Sequence, residues 1–436
     1  MRVFFTKEEF IKENGKPGSP MPFSEDVSVL GEAVPIGERL SPSRIVYQPM
    51  EGCDGEADGS PGELTVRRYE RFAAGGPGIV WFEATAVLRE GRANPRQLML
   101  TEDNAGAFSR LVEKIKETAA KAGNPEPLVI MQATHSGRYS KPNGRPEPLV
   151  AYGCPTLEKN GVPVTVVTDE YLDRVGEALV SSAKLAERAG FDGVDIKCCH
   201  RYLLSELLSA RDRGGKYGGA LENRARLLLD AVSGARSECR DGFIVATRLN
   251  VYDGAEIPGG FGVAEDGSFD PTEARKLAGE LSARGVSLIN VTMGNPYFNP
   301  HVNRPFSAGA YDPPEGPLDG VARLLLGAEI VKRAVPGTAV VASGFSFLGA
   351  AAPGVAAAYA ARGSFDLCGF GREAIAYPDL ASDILRDGGM KREKLCLCCS
   401  KCSEIMRKPG GTPGCVVRDA EVYLPIFREF CGEGKK

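Results

Sequence analysis

The sequence has one tryptophan, three histidines and no surplus of positive charge. Its 53 basic residues are outnumbered by 57 acidic ones, so no cationic excess is left to neutralise a nucleic-acid backbone. No apolar run approaches the roughly 18 residues a membrane span requires. The N-terminus, Met1-Arg2-Val3-Phe4-Phe5-Thr6-Lys7-Glu8-Glu9, lacks an apolar core and turns acidic at once, which argues against a secretory signal. A Gly-rich dinucleotide turn between a strand and a helix is missing as well. The nearest text, Gly259-Gly260-Phe261-Gly262, leads into Asp/Gly-rich sequence rather than a helix. The expectation is a soluble, cytoplasmic protein with no nucleic-acid partner and no membrane span.

What is present is an ordinary globular balance, 43% apolar and 25% charged residues, enough for a large core in a 436-residue chain. After a turn-rich cap over 1–42, short apolar runs alternate with longer amphipathic stretches. The runs are 44–50, 78–85, 128–134, 193–198, 243–249, 287–293, 339–344 and 365–370. Between them the pattern predicts helices near 63–74, 105–122, 169–190, 222–238, 272–284, 318–334, 347–361 and 378–387. Leu128-Val129-Ile130-Met131 typifies the runs, which read as strands buried on both faces. Eight strand–helix units predict an α/β chain folded as a (β/α)8 TIM barrel over 43–390, followed by a Cys-rich segment over 391–436. The two long excursions, 135–168 and 294–317, follow strands three and six. In a barrel both lie on the C-terminal face, where sites are built, and both are expected to shape a pocket.

Polar residues at the C-terminal strand ends are then the functional candidates: Glu51, Gln132, Lys197 with His200 and Tyr202, Arg248, Gly344, and the turn Gly369-Phe370-Gly371-Arg372. Gly344 and the last turn follow strands seven and eight, where such barrels commonly hold a phosphate. Arg372 adds a bidentate cation there. A cation at Arg248, behind an apolar strand, needs either a neighbouring carboxylate or an electron-rich ligand. Gln132 is either a satisfied core amide or, with Arg248, a partner for the polar edge of a flavin ring.

Five ordered motifs carry a resemblance. They are Arg44-Ile45-Val46-Tyr47-Gln48-Pro49-Met50, Gln132-Ala133-Thr134-His135-Ser136-Gly137-Arg138, the stretch from Gly193-Val194-Asp195-Ile196 to Tyr202-Leu203-Leu204, Tyr217-Gly218-Gly219 with Glu222-Asn223-Arg224, and Gly369-Phe370-Gly371-Arg372. Together they resemble the Old Yellow Enzyme (NADH:flavin oxidoreductase) family. The resemblance implies an FMN-bearing barrel that moves hydride through the flavin N5, usually onto an activated C=C bond. It puts Gln132 and Arg248 on the pyrimidine edge of FMN, with Pro49, Met50 and Ala84 flanking the ring. It puts Gly344, Gly371 and Arg372 on the phosphate, with Phe345 beside them in the cofactor-binding set. Tyr202 matches the tyrosine that protonates the substrate carbon, and His200 the second of two residues that bind its carbonyl oxygen. Two positions depart from the commonest pattern: Lys197 replaces a histidine, and Glu51 replaces a threonine or cysteine near the flavin O4/N5 edge. Lys197 either polarises a carbonyl, binds a carboxylate, or pairs with Asp195 or Glu51. His135 reads as either packing or catalysis, while Tyr297 and His301 read by default as surface loop.

Twelve cysteines is an unusual count, and five of them fall between 396 and 415. The spacing Cys396-x2-Cys399-x2-Cys402-x12-Cys415 presents three thiolates from one tight turn and a fourth from a loop. That pattern suits a [4Fe–4S] cluster better than zinc, which four thiolates also satisfy. Cys398 reads as a bystander. The spacing is similar to that of trimethylamine dehydrogenase and 2,4-dienoyl-CoA reductase, iron–sulfur relatives that append FAD- and NAD(P)-binding domains. The sequence ends at Lys436 without them. The expected electron donor is therefore NAD(P)H entering the flavin pocket, or an external redox protein.

Three functions fit. The favoured one is reduction of an α,β-unsaturated carbonyl or carboxylate compound, with Tyr202, His200 and Lys197 as catalytic groups. The others are an amine or alcohol dehydrogenase exporting electrons through the cluster, and a non-catalytic electron-transfer subunit. A homo-oligomer fits any of the three.

Overall fold

The eight apolar runs do extend as strands, and their inward and outward residues are buried alike. In the computed structural model, which describes residues 3–14, 20–158, 161–307, 311–408 and 410–432, they are β1 (Ile45–Tyr47), β2 (Ile79–Ala86), β3 (Leu128–Thr134), β4 (Gly193–Ile196), β5 (Ile244–Asn250), β6 (Leu288–Thr292), β7 (Ala339–Ser343) and β8 (Leu367–Phe370). All neighbours pair in parallel, and β8 pairs with β1, closing an eight-stranded barrel. Each strand is followed by a helix on the outside: α1 (Glu63–Ala74), α2 (Ala105–Lys121), α3 (Asp169–Arg188), α4 (Arg226–Glu238), α5 (Thr272–Ala283), α6 (Pro317–Ala334), α7 (Ala352–Ala361) and α8 (Leu380–Asp387). The (β/α)8 barrel expected from the sequence is what forms.

Local chemistry sets the helix ends. Thr168 caps α3 by accepting from the Tyr171 N–H at 3.2 Å, and Asp169 and Glu170 sit in the first turn, where the helix dipole favours anions. Pro317 opens α6, where its missing N–H costs nothing. The single helix read over 222–238 is two: a short turn Leu221–Arg224 and then α4, parted at Ala225. The helix read over 347–361 begins as a 3-10 stretch, Phe345–Ala351, interrupted at Gly349, where φ is 53°.

The cap is more structured than a turn-rich reading implies. It carries a helix, Lys7–Asn14, and a hairpin, Val34–Ile36 with Arg39–Ser41. Val34 and Ile36 pack with Val46, Ile79, Trp81, Ile130, Ile244 and Leu288, so the hairpin plugs the N-terminal mouth of the barrel.

Above that apolar layer lies a polar one. The buried Asp195 carboxylate on β4 accepts from Trp81 Nε1 (2.9 Å), Gln132 Nε2 (2.6 Å) and the Arg248 backbone N–H (2.6 Å), tying β2, β3 and β5 to β4. Gln48 and Asn290 exchange two amide hydrogen bonds, 2.7 and 3.2 Å, linking β1 and β6. Beyond α8, the chain folds back over the C-terminal face through α9 (Lys401–Met406) and α10 (Ala420–Cys431). Asp419, just before α10, ties this return to α1 through Arg67 and Arg71.

Asp195→Asn places an amide N–H2 against donors that now meet a carboxylate. It should destabilise the protein by roughly 1–3 kcal/mol, read as a lowered denaturant midpoint at unchanged slope. An unchanged midpoint would show that the three donors find other acceptors.

Candidate active site

A cleft opens at the C-terminal end of the barrel, with a volume of about 1220 Å³ counting its open mouth. Pro49, Met50, Glu51, Ala84, Lys197, His200, Tyr202, Arg248, Gly344, Gly371 and Arg372 all line it, as the sequence reading expects. Gln132 and Phe345 do not. The Gln132 amide is spent on Asp195 below the floor, and Phe345 packs against Phe365 and Phe370, leaving Ser346 to face the cleft.

The Lys197–Tyr202 group is held by a strained turn. His200 and Arg201 both have left-handed backbones, φ 64° and 58°, a costly conformation for side chains other than glycine. Arg201 locks it: fully buried, it donates to Asp253 Oδ2 (2.9 Å), Ser209 Oγ (2.7 Å) and the Tyr152 hydroxyl (2.8 Å). The sequence reading passed over this anchor. Lys197 does not pair with Asp195, whose oxygens serve other strands. Its ammonium lies 3.9 Å from the centroid of the Tyr202 ring, and burial lowers its pKa. Burial, helped by the Arg248 and Lys197 charges, holds the His200 pKa well below the usual imidazole range, so the ring is neutral. His200 Nε2 lies 3.3 Å from Asn303 Nδ2, whose N–H groups also reach Thr292 Oγ1 (3.0 Å) and the Met293 carbonyl (3.1 Å).

Tyr202 is the hub. Its hydroxyl meets Tyr297 Oη at 2.8 Å and Glu51 Oε2 at 3.5 Å. Burial and the Glu51 charge push its pKa well up, so the phenol stays protonated at neutral pH. Burial also raises the Glu51 pKa, against the pull of Lys197, and its Oε1 has no partner among the described residues. Tyr297 is thus a cleft residue, not the surface residue its loop implied. The excursion 135–168 supplies no lining side chain among the described residues, contrary to expectation. It acts from behind, Tyr139 stacking on Tyr297 with centroids 4.1 Å apart. His301 is buried outside the cleft, bonded to Tyr311 (2.7 Å) and Glu256 (3.2 Å). His135 is a packing residue bonded to the Tyr171 hydroxyl at 2.7 Å, its pKa pulled down to about 3 by burial.

The cleft offers what a phosphorylated aromatic cofactor needs. Among the described residues Arg248 Nε and Arg372 Nη1 are buried without a hydrogen-bond partner, and both side chains line the cleft. Gly344 has φ 113°, and a Cβ there would stand 2.8 Å from Leu324 Cδ1. At Gly371 a Cβ would meet Met50 Sδ at 3.0 Å. The backbone is therefore bare where a phosphate would approach. FMN fits this donor set.

Arg372 and Cys402 also line a second, smaller cavity of about 360 Å³, together with Cys396, Cys399 and Cys415. Among the described residues no three His, Cys, Asp or Glu side chains converge into a ready metal geometry. The four sulfurs nonetheless share one cavity, and backbone N–H groups already serve two of them: Cys398 N–H to Cys396 Sγ (3.4 Å) and Arg418 N–H to Cys415 Sγ (3.3 Å). Left-handed Cys398 and Ser400 (φ 50° and 60°) curl the chain around the cavity. Cys398 itself points elsewhere, to the Ser346 carbonyl.

Barrel, cleft and unpaired arginines define a flavin-binding oxidoreductase class. Residues 32–283, over half the chain, match the NADH:flavin oxidoreductase / NADH oxidase family. The chain belongs to that family of FMN-dependent oxidoreductases, and the Old Yellow Enzyme resemblance is borne out. Among curated relatives, NADPH dehydrogenase of Halalkalibacterium halodurans is 31% identical over 258 residues, covering 58% of this chain and 69% of that protein. NADPH dehydrogenase of Listeria innocua is 33% identical over 256 residues, with the same shares. Among solved structures, a 2-naphthoyl-CoA reductase complex superposes with a TM-score of 0.73 at 22% identity over 90% of this chain, which spans only 57% of that one. Morphinone reductase gives 0.63 at 21%, covering 84% of this chain and 91% of that one. These two show the same barrel fold. No helix among the described residues is long and apolar enough to cross a membrane.

Gly344→Ala should cost roughly 1–3 kcal/mol through its left-handed backbone and the Leu324 clash. Chemical denaturation of the flavin-free protein checks this, and wild-type stability would show that the loop relaxes freely.

Proposed function

We propose that this protein reduces the C=C bond of an α,β-unsaturated carbonyl or carboxylate compound. The observation that carries this reading is the protonated Tyr202 phenol facing the cleft beside one buried ammonium and one neutral imidazole. When bound, reduced FMN supplies the hydride from its N5. The substrate's carbonyl oxygen lies between Lys197 Nζ and the ring N–H of His200, whose charge and hydrogen bond hold the negative charge that builds there as the β-carbon is reduced. Tyr202 then gives its proton to the α-carbon, and the Lys197 ammonium over its ring stabilises the phenolate left behind. Tyr297 orients that hydroxyl. Arg248 answers the electron-rich pyrimidine edge of the cofactor, and Arg372 its phosphate. Gln132, below the floor, acts by fixing Asp195 and through it the Arg248 backbone.

The cysteine set supports a [4Fe–4S] cluster, which supplies one-electron transfer when bound. The donor is then NAD(P)H or a separate redox protein. A dehydrogenase acting on an amine fits the cleft poorly: the lining carries Lys197 and Arg248 where a cationic substrate would have to sit. Trp81, the one tryptophan available to an aromatic cage, lies in the barrel interior, bonded to Asp195.

Tyr202→Phe should slow oxidation of the reduced flavin by an enone about 10²–10⁴-fold while leaving flavin reduction nearly intact in stopped-flow. Equal loss in both half-reactions would remove Tyr202 from its role. Anaerobically purified protein should contain FMN together with four irons and four sulfides per chain. Zinc without sulfide would refute the cluster and leave direct NAD(P)H reduction as the route.

A further inference from the structure

The proposed reduction takes a proton from Tyr202 at every turnover, and the phenolate left behind cannot serve again until it is reloaded. Tyr202 is 2% exposed, so bulk water is a poor source. Its hydroxyl has two neighbours, Tyr297 Oη at 2.8 Å and Glu51 Oε2 at 3.5 Å. A hydroxyl carries a single proton and two acceptor lone pairs. For that proton to point at a substrate, both neighbours must donate to the oxygen. Tyr297 does so with its own hydroxyl. Glu51 does so only as a carboxylic acid.

The surroundings of Glu51 suit that form. It lies just past β1, on a turn fixed by the bond from the Gly52 N–H to Glu83 Oε2 (2.6 Å) and by left-handed Cys53, φ 48°. Its Oε1 is buried without a hydrogen-bond partner among the described residues. That position is costly for a charged oxygen, and an acid is tolerated there more readily. The side chain lines the cleft and is partly exposed to it, so solvent protons have a path through the mouth. The titratable groups that bear on it come from every side: Lys197 beyond β4, Tyr202, Lys141 from the loop after β3, Cys53, Glu83 of β2, and Tyr297 from the loop after β6. Burial raises the Glu51 pKa and outweighs the two lysines, which favour the carboxylate. A carboxyl drawn toward both forms is what a proton carrier requires.

We propose that Glu51 is the proton reservoir of Tyr202. It acts through that tyrosine and not on the substrate, and the proposal rests on the reading of Tyr202 as proton donor. As an acid, Glu51 donates to Tyr202 Oη and leaves the phenol proton free to face the substrate α-carbon. Once that proton has moved, the Oε2–H bond of Glu51 breaks and an O–H bond forms again on Tyr202. Only a proton moves in this step, and no oxidation state changes. The phenolate is much the stronger base, so the transfer runs downhill. The carboxylate left behind faces Lys197, and a proton from solvent restores the acid. Charged and neutral Glu51 thus alternate within each turnover.

The FMN-loaded chain is followed over successive turnovers of cyclohexenone, with reduced viologen in excess as donor. Glu51→Gln keeps an N–H donor for Tyr202 Oη but has no acidic proton. Its first turnover should run close to the wild-type rate, which also controls for folding, and later ones should slow about 10²-fold. Added acetic acid buffer should restore the later turnovers, and Glu51→Asp should retain part of them. Wild-type kcat should fall as pH rises through the Glu51 pKa, a limb that Glu51→Gln should lack. In the flavin-free chain, infrared difference spectra against Glu51→Gln should show a carboxylic acid C=O band that outlasts the pH at which ordinary carboxyls ionise. Absence of that band, or a Glu51→Gln variant slowed equally in every turnover, overturns the reservoir. A shifted flavin reduction potential in Glu51→Gln with later turnovers unimpaired places Glu51 on the ring instead, and also overturns it. If Tyr202→Phe leaves the first turnover at the wild-type rate, the proton-donor reading itself fails and takes the reservoir with it. A slowed first turnover in Tyr202→Phe, with Glu51→Gln unimpaired throughout, keeps the donor and overturns only the reservoir.

Discussion

Everything above the apolar floor of this barrel is aligned by one buried carboxylate. Asp195 gathers donors from three neighbouring strands, and the bond to the Arg248 N–H fixes a residue that lines the cleft. Strand alternation carries the consequence upward. Lys197, two residues on, shares the inward face of β4 and emerges in the cleft. The Arg248 backbone is pinned by its bond to Asp195, so its guanidinium enters from a fixed point. An unpaired carboxylate at this depth would be costly, and burial does push the Asp195 pKa up. Three hydrogen bonds oppose that cost. The barrel therefore tolerates a charge-bearing group only where its neighbours make register and satisfaction the same condition.

A second constraint lies one turn later. Two consecutive left-handed residues, His200 and Arg201, carry strain of order 1–3 kcal/mol each, and the chain holds them by burying an arginine against Asp253. The arrangement brings His200 and Tyr202 into the same cleft as Lys197. A relaxed turn would give no such fixed geometry. The tyrosine wall completes it from outside the barrel: Tyr139 stacks on Tyr297, and Tyr297 holds the Tyr202 hydroxyl.

Much of this was legible in the sequence. The strands read correctly because a strand buried on both faces is written as an uninterrupted apolar run, and the eight runs match the eight barrel strands within a few residues. The strand-end residues come together in one cleft for the same reason, since fold and register together decide what a strand end faces. Gln132 misled because its partner, Asp195, sits on the next strand, and spacing along one chain says nothing of pairing across two. Tyr297, Arg304 and His301 lie in a 294–317 loop whose Asn, Pro and Gly content reads as solvent-exposed surface. Only the packing of that loop against α9 and the residue just after it, at Pro296–Arg407 and Arg304–Ser403, brings two of them into the cleft. The cysteine spacing was plain. That Arg372 lines the cysteine cavity as well as the flavin cleft was not, because the motif ending at Arg372 and the cysteine segment are read as separate signals.

The charge of the cleft runs against that of the chain. The molecule carries a net −4, yet five lysines and arginines line the cleft and one carboxylate, Glu51, opposes them. Cations that outnumber the one lining carboxylate set up a positive potential that the surrounding low dielectric strengthens. The two ends of the cleft differ in what they do with it. At the end bounded by Gly344 and Gly371, Arg372, Arg304 and Arg407 are in no ion pair among the described residues, although the buried Glu373 carboxyl feels the Arg372 charge. At the catalytic end Lys197 is balanced by Glu51 and by the faces of Tyr202, so the positive potential is moderated where charge must build and then be released. A permanently anionic cofactor and a transiently anionic substrate need different counter-charges, and this cleft supplies both from one barrel mouth.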